Sequence, residues 1–167
     1  MQEQTVLSAS DREMLFSLQE STFRYFSHEV NAENGLVRDR TAEGAPASIT
    51  SVGLALAAYP VGVERGYMDR QEAVKLTLTT LRFFDHSVQS AAVDATGYQG
   101  FYYHFLDMET GRRAQRSELS TIDTTFLLAG MLAAASYFDR DSAPEREIQT
   151  LADTLYQSVP AGETIFK

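Results

Sequence analysis

The chain has 167 residues, a formal net charge of −9 and a pI near 4.7. Such acidity disfavours nucleic acid or an anionic membrane surface as the main partner and suits the handling of neutral ligands. There is no cysteine, which excludes a disulfide framework and thiolate chemistry, and the length suits one domain with a real core rather than two.

Residues 1–9 read as a flexible lead-in. The N-terminus, MQEQTVLSASDREM, lacks the basic and apolar regions of a signal peptide. The expectation is a cytoplasmic protein, or a periplasmic or secreted one whose signal has been removed. Ser10-Asp11-Arg12-Glu13 is a capping-box signature. It opens a predicted helix with Leu15, Leu18, Thr22 and Phe26 on one face, ending near His28 and stopped by Asn34-Gly35. A polar loop over 36–46 carries Arg38, Asp39 and Arg40, which also read as a surface ion pair.

A second helix is expected from Ser48 through Ala58, apolar on most sides and therefore interior. Pro60 should kink or end it, with Gly62 and Gly66 bracketing the exit turn. Asp69 to Glu72 caps a third helix, whose apolar positions Val74, Leu78 and Leu81 face away from Lys75, Thr79 and Arg82. This one reads as outer and amphipathic.

Phe101 to Leu106 alternates aromatic side chains, as a short strand does. Asp107 to Gly111 supplies turn chemistry, and 112–117 returns as the second strand of a β-hairpin. After Ser120 a Leu/Ala-rich helix begins, with Gly130 and the alanines leaving room for close neighbours. Its N-terminus lies beside Tyr102, Tyr103, His104, Asp107, Glu109 and Glu118, so polar loop groups are held by a rigid buried element. Its Leu127 to Ala135 run is less than half of a membrane span. Ser142, Pro144 and Glu145 open the last helix, with Ile148, Leu151, Ala152, Leu155 and Tyr156 on one stripe.

The pattern is all-α: outer, inner, outer, inner, outer. Such hairpins stack into solenoids or closed toroids. Five helices do not close a double ring, and the ending from Val159 to Lys167 neither caps a bundle nor supplies another inner helix. The expectation is a partial domain over 10–167, truncated at the C-terminus. An open arc would expose Leu127, Leu128, Met131 and Leu132, and self-association through these faces follows.

The segments FRYF (23–26), GLVRDR (35–40), PASITSVGLAL (46–56), VGVERGYM (61–68), TLRFF (80–84), GYQGFYYHFLDMETGRR (97–113) and SELSTIDTTFLLAG (117–130) occur in this order. Together they resemble the N-terminal part of the glucoamylase-like domain family, which includes bacterial β-1,2-glucanases and a domain of cyclic β-1,2-glucan synthases. The resemblance runs from about residue 10 to about 157. It implies part of an (α/α)6 toroid with substrate at the mouths of the inner helices. It also implies glycoside hydrolysis of glucans, β-1,2-linked ones among them, with an oligo- or polysaccharide as partner.

Such hydrolysis needs one protonated carboxyl and one carboxylate. Glu118 and Asp123, within the SELSTID segment, rank first as catalytic candidates. Asp39, Tyr103, His104, Asp107 and Glu109 are candidate sugar contacts. Each has a structural reading beside the functional one. Asp123 three residues after Ser120 is a capping arrangement, Glu118 a solvated loop residue, and DMETG ordinary turn chemistry. Strand alternation points Tyr103 and His104 to opposite faces, so one of the two lines the cleft. His28 and His86 read as structural. Three scattered histidines give no metal spacing, and no cofactor is expected. The alternative function is a non-catalytic helical-hairpin module that binds carbohydrate or protein through the same loops.

Overall fold

The structure is a computed structural model, which describes residues 7–160. Five helices carry the fold: α1 (Ala9–His28), α2 (Ile49–Arg65), α3 (Arg70–Asp85), α4 (Thr121–Tyr137) and α5 (Ala143–Gln157). Five very short strands join them: β1 (Ala47–Ser48), β2 (Gly97–Tyr98), β3 (Phe101–Tyr103), β4 (Phe105–Leu106) and β5 (Leu119–Ser120). The expected alternation of outer and inner helices holds, with α2 packed chiefly on α4 and α3 on α5.

The inner pair is built on two glycines. Gly53 of α2 and Gly130 of α4 lie backbone to backbone, and a Cβ on Gly130 would fall 2.6 Å from the Gly53 carbonyl carbon. Only residues without a side chain allow helix axes this close. Around that crossing, Val52, Leu56, Tyr59, Leu127 and Met131 are fully buried. Leu127, Leu128 and Met131 are thus covered already, against the expectation that the arc leaves them open. α2 and α5 both pack on α4. The apolar residues of α4 that do remain exposed are Ile122, Phe126 and Leu132.

Local signals set most helix ends. Asp69 caps α3 by accepting from the Gln71 N–H, and Ser142 caps α5 by accepting from the Glu145 N–H. At α1 the capping box sits two residues earlier than expected, between Ser8 and Asp11. Ser8 and Asp11 have the same three-residue spacing, and Ser10 is already helical. Residues 1–6 of the expected lead-in lie outside the described residues, as do 161–167 of the ending. Pro60 does not end α2, which continues to Arg65 and is closed by Gly66 at φ 72°. Proline removes one backbone donor, while Tyr59 and Gly62 on either side are buried, and Gly62 lies under the Phe23 ring. Packing outweighs the lost bond.

Of the stripe expected on α1, Phe26 packs against the core, but the positions before it do not. Leu15 is 45% and Leu18 60% exposed, and Phe23 is the helix's buried residue. Periodicity identified an apolar side, but α1 meets α2 mainly through Phe23. On α5 the stripe holds for Ile148, Ala152 and Leu155, while Tyr156 is 54% exposed.

The hairpin over 101–117 narrows to a single antiparallel bridge, Leu106 with Arg113, beyond the Asp107 turn. The strands take longer-range partners as well. β3 lies between β2 and β5, pairing Tyr102 with Gly97 and with Ser120. β4 pairs with β1, Leu106 opposite Ala47 and Phe105 opposite Ser48. Because β1 runs into α2 and β5 into α4, these pairings bring the two inner-helix N-termini side by side.

Candidate active site

His104, between β3 and β4, lies at the seam of the two mouths. Its N–H donates to the Glu118 carbonyl at 3.0 Å, and its own carbonyl accepts from the Ile49 N–H at 3.2 Å. Its Nδ1 is 3.0 Å from Glu118 Oε1 and 3.7 Å from Asp123 Oδ2. The imidazole lies flat on Phe105, ring centroids 3.9 Å apart.

Asp123 is in the first turn of α4, where the free N–H groups of the helix favour a carboxylate. Its Oδ2 accepts from the Ser120 hydroxyl and its Oδ1 from the Thr50 hydroxyl, each at 2.5 Å, and its N–H donates back to Ser120 Oγ at 3.1 Å. The capping arrangement is therefore present. The Thr50 bond adds what capping alone does not supply, a link from α4 to the first turn of α2. Burial pushes the Asp123 carboxyl upward, but the Ser120 and Thr50 hydroxyls and the nearby His104 outweigh it and leave the carboxyl below its usual range. Glu118 has its side chain 65% exposed. Its own backbone N–H, followed by His104, holds its carboxyl low as well. Both groups are built to stay ionised.

His104, Glu118 and Asp123 each offer one donor atom, all within 4.8 Å of one another, and form the donor set among the described residues that could take a cation. Chain spacing gave no hint of it, since strand pairing rather than local sequence brings the three together.

No family model matches the chain. A curated relative is the exo-β-1,2-glucooligosaccharide sophorohydrolase (non-reducing end) of Parabacteroides distasonis, 28% identical over 93% of this chain and 21% of that protein. Among solved structures, a protein of Bacteroides uniformis provisionally described as a glucoamylase is 28% identical, with a TM-score of 0.77 over 93% of this chain and 37% of that one. The β-1,2-glucanase of P. distasonis is 25% identical with a TM-score of 0.79, over 93% and 22%. These neighbours point to the glucoamylase-like β-1,2-glucanase family. An endo-β-1,2-glucanase of Chitinophaga pinensis, solved with sophorotriose and glucose, shares the fold at 23% identity with a TM-score of 0.74. The chain thus has the fold of part of an α/α toroid, as the sequence resemblance implied, and spans 21% to 37% of the length of these relatives.

Within that arc, the other candidate residues fall apart from the His104 cluster. Asp107 Oδ1 accepts from the N–H groups of Glu109 and Thr110 and from the Thr110 hydroxyl, and these bonds hold its carboxyl low. The turn reading of DMETG is thereby satisfied. Asp107 and Glu109 line a separate cleft of about 550 Å³ with His28, Arg38, Pro46 and Gln115. His28, read from the sequence as structural, is at its edge. Asp39 pairs with Arg40 at 2.8 Å, which is the surface ion pair foreseen for that loop. Tyr103 lies under the Arg113 guanidinium, 4.1 Å from ring centroid to Cζ. The His104 side chain meets Glu118, while the Tyr103 ring is taken up by Arg113. Thr50 is the residue that sequence reasoning missed. Its one signal was a hydroxyl in the first turn of an otherwise apolar helix.

Proposed function

We propose that this chain is part of a glucan-active glycoside hydrolase domain, acting on β-1,2-linked glucans, with the inner-helix mouths of α2 and α4 forming one side of its cleft. The observation that carries the reading is the convergence of Glu118, His104 and Asp123 where two buried helices begin, in a fold whose relatives are named for hydrolysing β-1,2-gluco-oligosaccharides.

Charge and distance refine the roles. An acid–base pair that straddles a glycosidic bond keeps its carboxyls about 5–9.5 Å apart, with one of them protonated. Glu118 and Asp123 converge on one imidazole within 4.8 Å, and both are held low. They act on the same side of the sugar. Glu118, exposed, is the carboxylate that meets substrate or its water. Asp123, with both oxygens bonded to hydroxyls, keeps the mouth in register. The proton donor belongs to another part of the cleft, so the 167-residue chain alone has little or no hydrolase activity.

The test is Glu118→Gln in the full-length protein, assayed for sugar release from β-1,2-glucan and its oligosaccharides. The expected result is a loss of about 10²-fold or more in kcat, with an unchanged circular dichroism spectrum. Full activity in that variant removes Glu118 from the mechanism.

A further inference from the structure

His104 is bonded to both inner-helix mouths through its main chain and touches both carboxylates through its side chain. The bond to the Glu118 carbonyl and the bond from the Ile49 N–H fix its backbone, and the near-parallel stack on Phe105, 18° between planes, fixes its ring. Phe105 is itself held in β4 opposite Ser48, the residue that precedes α2. The imidazole is a rigid plate with its Nδ1 edge aimed at Glu118 and Asp123. Ionised carboxylates only accept hydrogen bonds, so the nitrogen facing them carries the proton. A side chain whose Nδ1 edge is already bonded to Glu118, with Asp123 beside it at 3.7 Å, has little left for a sugar hydroxyl on that edge. Glu118, by contrast, is a flexible and mostly exposed side chain with no other side-chain partner among its hydrogen bonds in the described residues.

We propose that His104 is a positioning residue rather than a sugar contact: its Nδ1–H holds the exposed Glu118 carboxylate in one rotamer beside Asp123, aimed into the cleft. This rests on the glycosidase reading above. A carboxylate that must attack or activate water loses rate steeply when misplaced by about 1 Å, on the order of 10²-fold, whereas ground-state sugar binding by the rest of the cleft is little affected. The clamp therefore shows in kcat and hardly in KM.

The experiment compares two variants of the full-length protein on β-1,2-gluco-oligosaccharides. His104→Asn keeps an N–H near the Nδ1 position. His104→Phe keeps a flat ring on Phe105 and removes the donor. The expected outcome is a fall in kcat of about 10- to 100-fold for His104→Phe with KM nearly unchanged, and recovery of most of that loss in His104→Asn. Equal losses in both variants, or full activity in His104→Phe, overturn the proposal. If His104→Phe does not fold, His104→Gln takes its place, because its amide reaches the Nε2 position instead. Asn active and Gln impaired then supports the clamp, and equal activity overturns it. If the wild-type protein cleaves no β-1,2-glucan, the glycosidase reading falls, and the clamp is decided by ¹⁵N NMR of the imidazole. An Nδ1–H tautomer supports it, and an Nε2–H tautomer overturns it.

Discussion

Gly130→Ala should be one of the most damaging single-methyl additions available to this chain. On a solvent-facing helix position the same change would stabilise by about 1 kcal/mol through helix propensity. Here the new Cβ would lie 2.6 Å from the Gly53 carbonyl carbon and 2.7 Å from its Cα, nearer still to the carbonyl oxygen. All three are main-chain atoms, so no rotamer change relieves the clash. α2 and α4 must separate by roughly 1 Å, and every contact along their seam loosens with them. Overpacking of this kind costs about 1–3 kcal/mol, and rigid backbone on the far side places it at the upper end. After the propensity gain, about 2 kcal/mol of net destabilisation remains. At about 2–4 °C per kcal/mol for a domain of this size, the melting temperature falls by roughly 4–8 °C in a thermal denaturation followed at 222 nm. Gly66→Ala is the comparison. It has φ 72° and nothing within 4 Å, so it loses about 1 kcal/mol from backbone strain alone. The helices also carry Thr50 and Asp123, so Gly130→Ala should weaken that 2.5 Å bond while Gly66→Ala leaves it intact. A Gly130→Ala protein as stable as wild type would refute the close-crossing argument.

Two further perturbations test the frame. Glu145 is bound bidentately by Arg70, at 2.7 Å for the shorter contact, and also accepts from the Arg140 N–H, with side-chain exposures of 15% for Arg70 and 6% for Glu145. Glu145→Gln strands the Arg70 charge and should cost about 3–5 kcal/mol by urea denaturation. Burial pushes the Glu145 carboxyl up, and the Arg70 and Arg140 bonds more than offset it, leaving it below its usual range. Its contribution is therefore complete above the unfolded carboxylate pKa near 4.3 and is lost as pH falls through the lower folded value, so the variant's deficit should shrink in acid. Asp107→Ala removes the acceptor for two N–H groups and a hydroxyl and should cost about 1 kcal/mol, with no effect on catalysis if Asp107 serves only its turn. A large fall in activity would make it a substrate contact.

What could be read from the sequence and what could not divide along the range of the interactions. Helix caps at Asp69, Ser120 and Ser142 were legible because donor and acceptor lie within a few residues. The burial order of helices was legible because α2 and α4 are apolar on nearly every side. The close crossing was half legible, since Gly130 announced room for a neighbour but nothing pointed to Gly53 as that neighbour. The buried face of α1 was not, because a stripe such as Leu15 and Leu18 shows that a helix has an apolar side without showing which part meets a partner. The strand pairing was read only in part for a related reason. A turn at Asp107 announces a local hairpin, which forms, but Phe105 and Leu106 pair on their other side with β1, nearly sixty residues away. Glu118 and Asp123 could be singled out as a pair, but their meeting at His104 depends on the β3–β5 pairing, and the arrival of Thr50 depends on the distant β1–β4 pairing.

The same geometry explains why the ionised half of the chemistry should sit at the mouths of these two helices. A helix N-terminus offers unbonded N–H groups and a positive dipole end, and at α4 the hydroxyls of Ser120 and Thr50 add to it. Every one of these lowers a carboxyl pKa, so a group placed there can serve as base, nucleophile or register pin, but it is poorly suited to hold a proton at neutral pH. A general acid needs the opposite surroundings, an apolar wall or a second carboxylate without compensating donors. The proposed hydrolase therefore separates its two roles by environment: the carboxylate at the seam of α2 and α4 where donors are plentiful, and the acid across the cleft, away from any helix start. The acidic limb of its pH profile would then report a carboxylate with a depressed pKa, and the alkaline limb a group outside the His104 cluster. Loss of the alkaline limb in Glu118→Asp, with the acidic limb unchanged, would reverse that assignment.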